Sequence, residues 1–378
     1  MRDERRMRAR NERLRLWVVM GLFAIGLIIA CSDSFLAPWA VTDLRVVAAV
    51  VDVDGEPGHA NPEPGDGVEV SLRVIDKGSP PSDFEGVPAL TPEPLEWLFA
   101  ACLPLPTLIG APICADPRGL IQPCEGCVAT PPADPFALPV IRFQVPSESE
   151  VEAAQATSVL LQGVVCVNGV PSTDAIERLL SGETNELEPC EPRPDALPGR
   201  ETEPTQGRIV AVQIPLETDP SDPNLNPEIQ QVRFEGTAWP PPYDQGVPRT
   251  APRTGCRADL ESLTPEEQAM QPIAGSPPYD IRLQVTPASL QTYTVDDMTL
   301  TEEIQITWLT DGGGLVQTFS FINAPAIDSL TQWTPPTAVP EDGQLVRFNF
   351  VIRDGRGGTD WVDRGLCVLP APPDESPP

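Results

Sequence analysis

Proline does most to limit what this chain can become, since it fills 48 of 378 positions. Its ring fixes φ and removes a backbone donor, so it breaks helices and is kept out of the interior of a sheet. Ordinary usage is about 5%, and at more than twice that density long helices have no room. What remains is a set of short strands joined by long irregular loops.

The apolar residues fall into that pattern. A strand begins in VTDLRVVAAVVDV at Val41, and Val68 to Ile75 alternates apolar and polar side chains at period two. Glu96 to Cys102, residues 140–145 and residues 158–169 complete a first set. Residues 208–216, 228–236, 279–287, 302–310, 315–321 and 345–369 form a second. The last of these is a hairpin turning at Asp354-Gly355-Arg356-Gly357-Gly358, where glycine supplies positive φ. Trp308, Trp333 and Trp361 are spaced like core anchors.

Two helical turns are expected. One spans residues 172–182, with a Ser172/Thr173 cap, an apolar face at Ile176, Leu179 and Leu180, and a stop at Gly182. The other opens at Thr264-Pro265-Glu266-Glu267, a capping box with proline in the first helical position. Glu148 to Ala156 reads as a polar loop. The fold class expected is therefore all-β, two immunoglobulin-like β-sandwich domains with long proline-rich loops.

An N-terminal signal helix precedes them in this reading. Residues 1–16 are basic and residues 17–30 are an uncharged apolar run. A membrane-spanning helix needs about 20 such residues, so the run fits the apolar region of a signal peptide. It ends Ile28-Ile29-Ala30-Cys31, which resembles the bacterial lipobox. That resemblance implies cleavage before Cys31 and lipidation of its thiol. Two or three acyl chains, at about 0.8 kcal/mol per buried CH₂, then hold a soluble domain on a bilayer. Ser32 stands where an aspartate would favour retention at the inner membrane, so the expected location is the outer membrane. The boundaries that follow are a signal peptide at 1–30, a tether at 31–40, a first sandwich with a disulfide-rich loop at 41–183, a linker at 184–206, a second sandwich at 207–369 and a disordered tail at 370–378.

Export fits the cysteines. With Cys31 lipidated, eight remain: Cys102, Cys114, Cys124, Cys127, Cys166, Cys190, Cys256 and Cys367. An oxidising envelope lets them form up to four disulfides, with on the order of a hundred connectivities open. The pairing expected is Cys256 with Cys367, Cys166 with Cys190, and the other four among themselves within residues 102–127. A bridge across tens of residues contributes about 3–4 kcal/mol, which matters where loops bury little apolar surface.

VTDLRVVAAVV followed by PEPGDGVEVSLRVID resembles the opening of myxobacterial-type lipoproteins with tandem Ig-like or PKD-like domains. The stretch from Glu302 to Trp308, Gln332-Trp333-Thr334-Pro335-Pro336 and the run from Val351 to Gly358 are similar to the later strands and the closing hairpin of that group. The resemblance implies a fold and a location. It carries no catalytic residues.

Charge and motifs narrow the function further. The net charge is −30; removing residues 1–30 takes away seven arginines and three acids, so 25 basic and 55 acidic residues become 18 and 52. Such a surface repels nucleic acid, and no nucleic-acid partner is expected. His59 is the only histidine, which leaves no Ser–His–Asp triad away from it and no HExxH zinc site. It reads as an exposed loop residue. Cys124-Glu125-Gly126-Cys127 lacks the following helix of a redox pair and reads as structural. Asp52-Val53-Asp54-Gly55-Glu56 reads as a solvated turn, and Asp354 with Asp360 is a weak candidate for sharing a cation. The expectation is a non-catalytic, lipid-anchored envelope protein with no cofactor and no metal. Its partners would be the membrane, through the lipid, and an envelope protein or glycan. The alternative is a small-ligand or glycan-binding lipoprotein using loops at one end of a sandwich.

Overall fold

The computed structural model describes residues 37–76, 95–104, 114, 119–129, 137–172, 174, 188–192, 205–217, 222–239, 243–244, 253–295 and 298–372. Cys31 and its signal segment, most of the turn expected over residues 172–182, most of the linker and the end of the tail lie outside them. Residues from Trp39 onward form one unit.

The first half contributes β1 (Arg45–Val53), β2 (Gly67–Ile75), β3 (Glu96–Cys102), β4 (Cys124–Glu125) and β5 (Val140–Gln144). A short helix α1 (Glu148–Ala154) leads to β6 (Ser158–Val167), β7 (Gly169–Pro171), β8 (Cys190–Pro192) and β9 (Gln206–Pro215). One sheet runs β1-β2-β5-β4 and the facing sheet runs β3-β6-β9, with antiparallel pairing throughout. Between them lies an aliphatic core in which Leu44, Val70, Leu72, Ile141, Val159, Leu161 and Ile214 are almost wholly buried.

β6 explains its own unbroken apolar run. Val159, Leu161 and Val165 face that core, while Leu160 on the opposite face packs on Cys102 and Cys114. Covered on both faces, the strand loses the alternation of a half-exposed one. Gly163 within it is required, because a Cβ there would collide with the Leu98 carbonyl and the Phe99 ring of β3.

The second half contributes β10 (Ile229–Phe234), β11 (Thr237–Ala238), α2 (Arg257–Leu260), α3 (Pro265–Ala269) and β12 (Tyr279–Val285). β13 (Thr292–Val295), β14 (Met298–Thr301), β15 (Glu303–Thr310), β16 (Gly314–Leu315) and β17 (Phe319–Asn323) follow. β18 (Asp328–Thr334), β19 (Gln344–Arg353) and β20 (Thr359–Val368) close the chain. The sheets run β11-β10-β12-β18-β16 and β17-β15-β19-β20, with β13-β14 as a separate hairpin. Their core is aromatic: Trp308, Trp333, Phe348 and Phe350 are fully buried, and Trp308 meets Phe350 edge to face at 5.1 Å.

Four expectations need correction. β9 does not begin the second sandwich at residue 207. It pairs with β6 from Ser158–Pro215 to Val167–Gln206 and sends Val210 and Ile214 into the first core, because its alternate valines and isoleucines complete that sheet. Residues 148–154 are helical and not loop: Ser147 and Glu150 form a capping box, and Val151 is the one buried anchor. The run 315–321 is not one strand, since β16 ends at Leu315 and β17 starts at Phe319 on the other sheet. Trp361 is only half-buried and does not anchor a core. It lies under the guanidinium of Arg73, 4.6 Å from the ring centre.

That contact belongs to the joint between the sandwiches. Arg73 of β2 pairs with Asp363 of β20 at 3.1 Å, and Val41, Ile75 and Leu309 bury a small apolar cluster beside it. Asn226 donates from Nδ2 to the Val51 carbonyl and accepts from the Thr359 N–H. His59 bridges to Leu225 across the two connecting loops, half-buried and 2.6 Å from Glu56 through Nδ1.

Candidate functional site

The first sandwich is open along one side. β1 and β9 are edge strands of the two facing sheets, and a cleft of about 870 Å³ lies between them, bordered by the β19–β20 turn of the second sandwich. Consecutive residues of both strands line it, Arg45 to Ala49 on one wall and Arg208 to Pro215 on the other. Its walls are therefore the hydrogen-bonding edges of the strands together with their side chains.

Four arginines converge there: Arg45, Arg208, Arg353 and Arg356. Arg45 and Arg208 both pair with Asp43, and Arg208 also donates from Nε to the Leu44 carbonyl at 2.8 Å. Arg353 donates to the Val47 carbonyl and, at 3.1 Å, to the Thr307 hydroxyl. Both acceptors are neutral, and desolvation pulls this guanidinium's pKa down from its ordinary value. Val47 sits where β1 slips register against β2 between Val46 and Ala48. Such a bulge turns a backbone group out of the ladder, and Arg353 uses its carbonyl.

Arg356 is aimed by the turn that carries it. The Asp354 carboxylate accepts from the N–H groups of Arg356 at 2.7 Å and of Gly357 and Gly358 at 3.0 Å. Gly357 holds φ at +130°, a conformation side-chain-bearing residues rarely adopt. The guanidinium then reaches Glu302 at 3.0 Å and lies over the Tyr293 ring at 4.5 Å. Burial is the main cause of a raised Glu302 pKa, pushed up to about 7, with the nearby Asp354 charge adding to it and Arg356 opposing it.

Asp354 apart, the residues singled out from sequence fall elsewhere. The cysteines pair as Cys102–Cys114, Cys124–Cys127, Cys166–Cys190 and Cys256–Cys367, with Cα–Cα separations of 5.7, 5.6, 5.9 and 5.7 Å. Asp354 and Asp360 are each occupied by backbone donors, Asp360 by the N–H groups of Ile229 and Trp361. Burial raises the pKa of both. Among the described residues no three His, Cys, Asp or Glu side chains stand close enough to hold a metal ion. Arg353 and Arg356 belong to the hairpin legible in the sequence, but no motif marks Arg45 or Arg208 or joins the four. They lie in three distant segments and meet only through strand register.

No protein-family model matches this chain, and no curated protein matches it.

Proposed function

We propose that this chain is a non-catalytic, lipid-anchored protein of the bacterial outer membrane. In this reading two immunoglobulin-like sandwiches form an interaction module tethered through Cys31. The observation that carries the binding role is the cleft between β1 and β9, lined by four guanidiniums, aliphatic side chains and strand edges. Guanidiniums stay charged at any physiological pH. They bind and orient anions and make poor proton shuttles, so the lining suits recognition better than turnover. The Arg73–Asp363 joint supports the same reading, because both sandwiches contribute to the cleft and must hold their relation for it to persist.

The anchoring is tested by Cys31→Ser in the native host. The wild-type chain is expected in the membrane pellet after alkaline washing, carrying labelled palmitate, while the variant moves to the soluble fraction. A wild-type protein whose N-terminus is still Met1 by mass spectrometry, or a variant that stays in the pellet, refutes the lipid anchor.

A further inference from the structure

The two walls of the cleft differ. On β1 and the residue just before it, the carbonyls of Leu44, Val47 and Val51 are already taken by the side chains of Arg208, Arg353 and Asn226. On β9, among the described residues, every backbone hydrogen bond goes to β6 except at Gly207, whose carbonyl accepts from the Arg208 guanidinium. Along the rest of its outer edge the donors and acceptors have no partner among the described residues.

Proteins usually blunt such an edge with charge, proline or brevity. β9 is ten residues long, and its charge and proline sit near its ends, at Arg208 and Pro215. Between them Ile209-Val210-Ala211-Val212-Gln213-Ile214 carries no charge and is rich in β-branched residues, the composition that pairs most readily with another strand. Ile209 is 40% exposed there.

The electrostatics select the partner. The chain as a whole carries −30, yet its open edge is flanked by Arg45 and Arg208 at one end and by Arg353 and Arg356 along its length. Arg353 has only neutral oxygens for company. A basic segment would be drawn to the acidic surface elsewhere, whereas an acidic one is repelled by the net charge of the chain and attracted by the arginines gathered here.

We infer that the cleft is a strand-addition site, in which an extended, carboxylate-bearing segment of a partner protein pairs its backbone with the β9 edge while its carboxylates meet the cleft arginines. This rests on reading the chain as an interaction module and names the chemistry of what it receives. Backbone pairing supplies affinity, and the guanidiniums set register and sign of charge. The uncharged edge from Ile209 to Ile214, beyond the point where Arg208 bridges to the Leu44 carbonyl, is about 20 Å long at about 3.3 Å per residue.

The probe is the synthetic peptide Asp-Val-Thr-Ile-Thr-Val-Asp, titrated by fluorescence anisotropy into the full-length chain in detergent micelles. Saturable binding with hydrogen-exchange slowing confined to residues 209–214 is expected. Methylating alternate peptide nitrogens should abolish it, and exchanging the terminal Asp residues for Lys should do the same. Arg353→Gln should weaken it about tenfold, while Arg282→Gln on a distant strand should leave it unchanged. If Arg353→Gln loses its thermal transition, Arg45→Gln serves in its place. No binding up to about 1 mM, equal binding of the methylated peptide, or equal competition by inorganic phosphate would each overturn the inference, the last two reducing the site to an anion pocket. Peptide binding in micelles does not depend on acylation of Cys31, so either result can fail while the other stands.

Discussion

Trp239, Trp308, Trp333, Phe348 and Phe350 interlock edge to face in the second sandwich, with ring centres 5.1–6.1 Å apart. The first is filled mainly by valine, leucine and isoleucine and carries three of the four disulfides, against one long-range bridge in the second. The second sheet pair is tied together by large rings that fill space at low entropic cost. The first leaves the side between β1 and β9 open, and its bridges start from β3, β4 and β6, of which β3 and β4 are the opposite edges of the two sheets. In this molecule closure and stapling trade against each other. A sandwich that keeps an edge available must hold its remaining loops by other means.

Breaking each support in turn sharpens that contrast. Cys256–Cys367 closes 111 residues of sequence, so the double variant Cys256→Ser, Cys367→Ser should lose about 4–5 kcal/mol in urea unfolding. Trp308→Ala empties the centre of the aromatic core, where Trp308 is fully buried, and should cost about 3–5 kcal/mol. Cys166–Cys190 closes only 24 residues, and its double serine variant should cost about 3 kcal/mol, felt in the first sandwich. A loss from this last pair exceeding that from Trp308→Ala would reverse the roles assigned to staple and core.

The smallest effect expected is on pH dependence. Glu302 has a pKa raised to about 7 by burial and by Asp354, above its unfolded value of 4.5. A raised carboxyl pKa means the folded state holds a proton that the unfolded state has released. Its contribution is therefore full below pH 4.5 and is lost as pH rises through about 7. Glu302→Gln should flatten this part of the profile, so that its thermal midpoint falls less than the wild type's between pH 5 and 8. An unchanged slope would remove Glu302 from the account.

Period-two alternation made β2, β5, β12 and β15 legible in the sequence, and the glycine-rich turn from Asp354 to Gly358 announced the β19–β20 hairpin. β18 was not legible because its alternation is inverted. Leu330 points to solvent at 41% exposure, while Thr331 is buried beside it. β14 is exposed at all four positions and has no apolar face to detect. In α1 a single buried residue, Val151, gives no helical period, although Ser147 and Glu150 spelled its capping box. The cleft was hidden for a different reason. Arg45, Arg208, Arg353 and Arg356 are ordinary surface-type residues in a chain of loops, and only the pairing of β9 with β6, across a stretch read as a domain boundary, brings them together.

Native-state hydrogen exchange on the full-length chain tests the open edge most directly. Strand β19 is paired on both sides, with β15 and β20, and its amides should be protected throughout. Strand β9 is paired on one side only, so protection along it should alternate, with every second amide exchanging at rates typical of exposed backbone. Uniform protection from Ile209 to Ile214 would mean that the edge is already covered, and the strand-addition cleft would not exist.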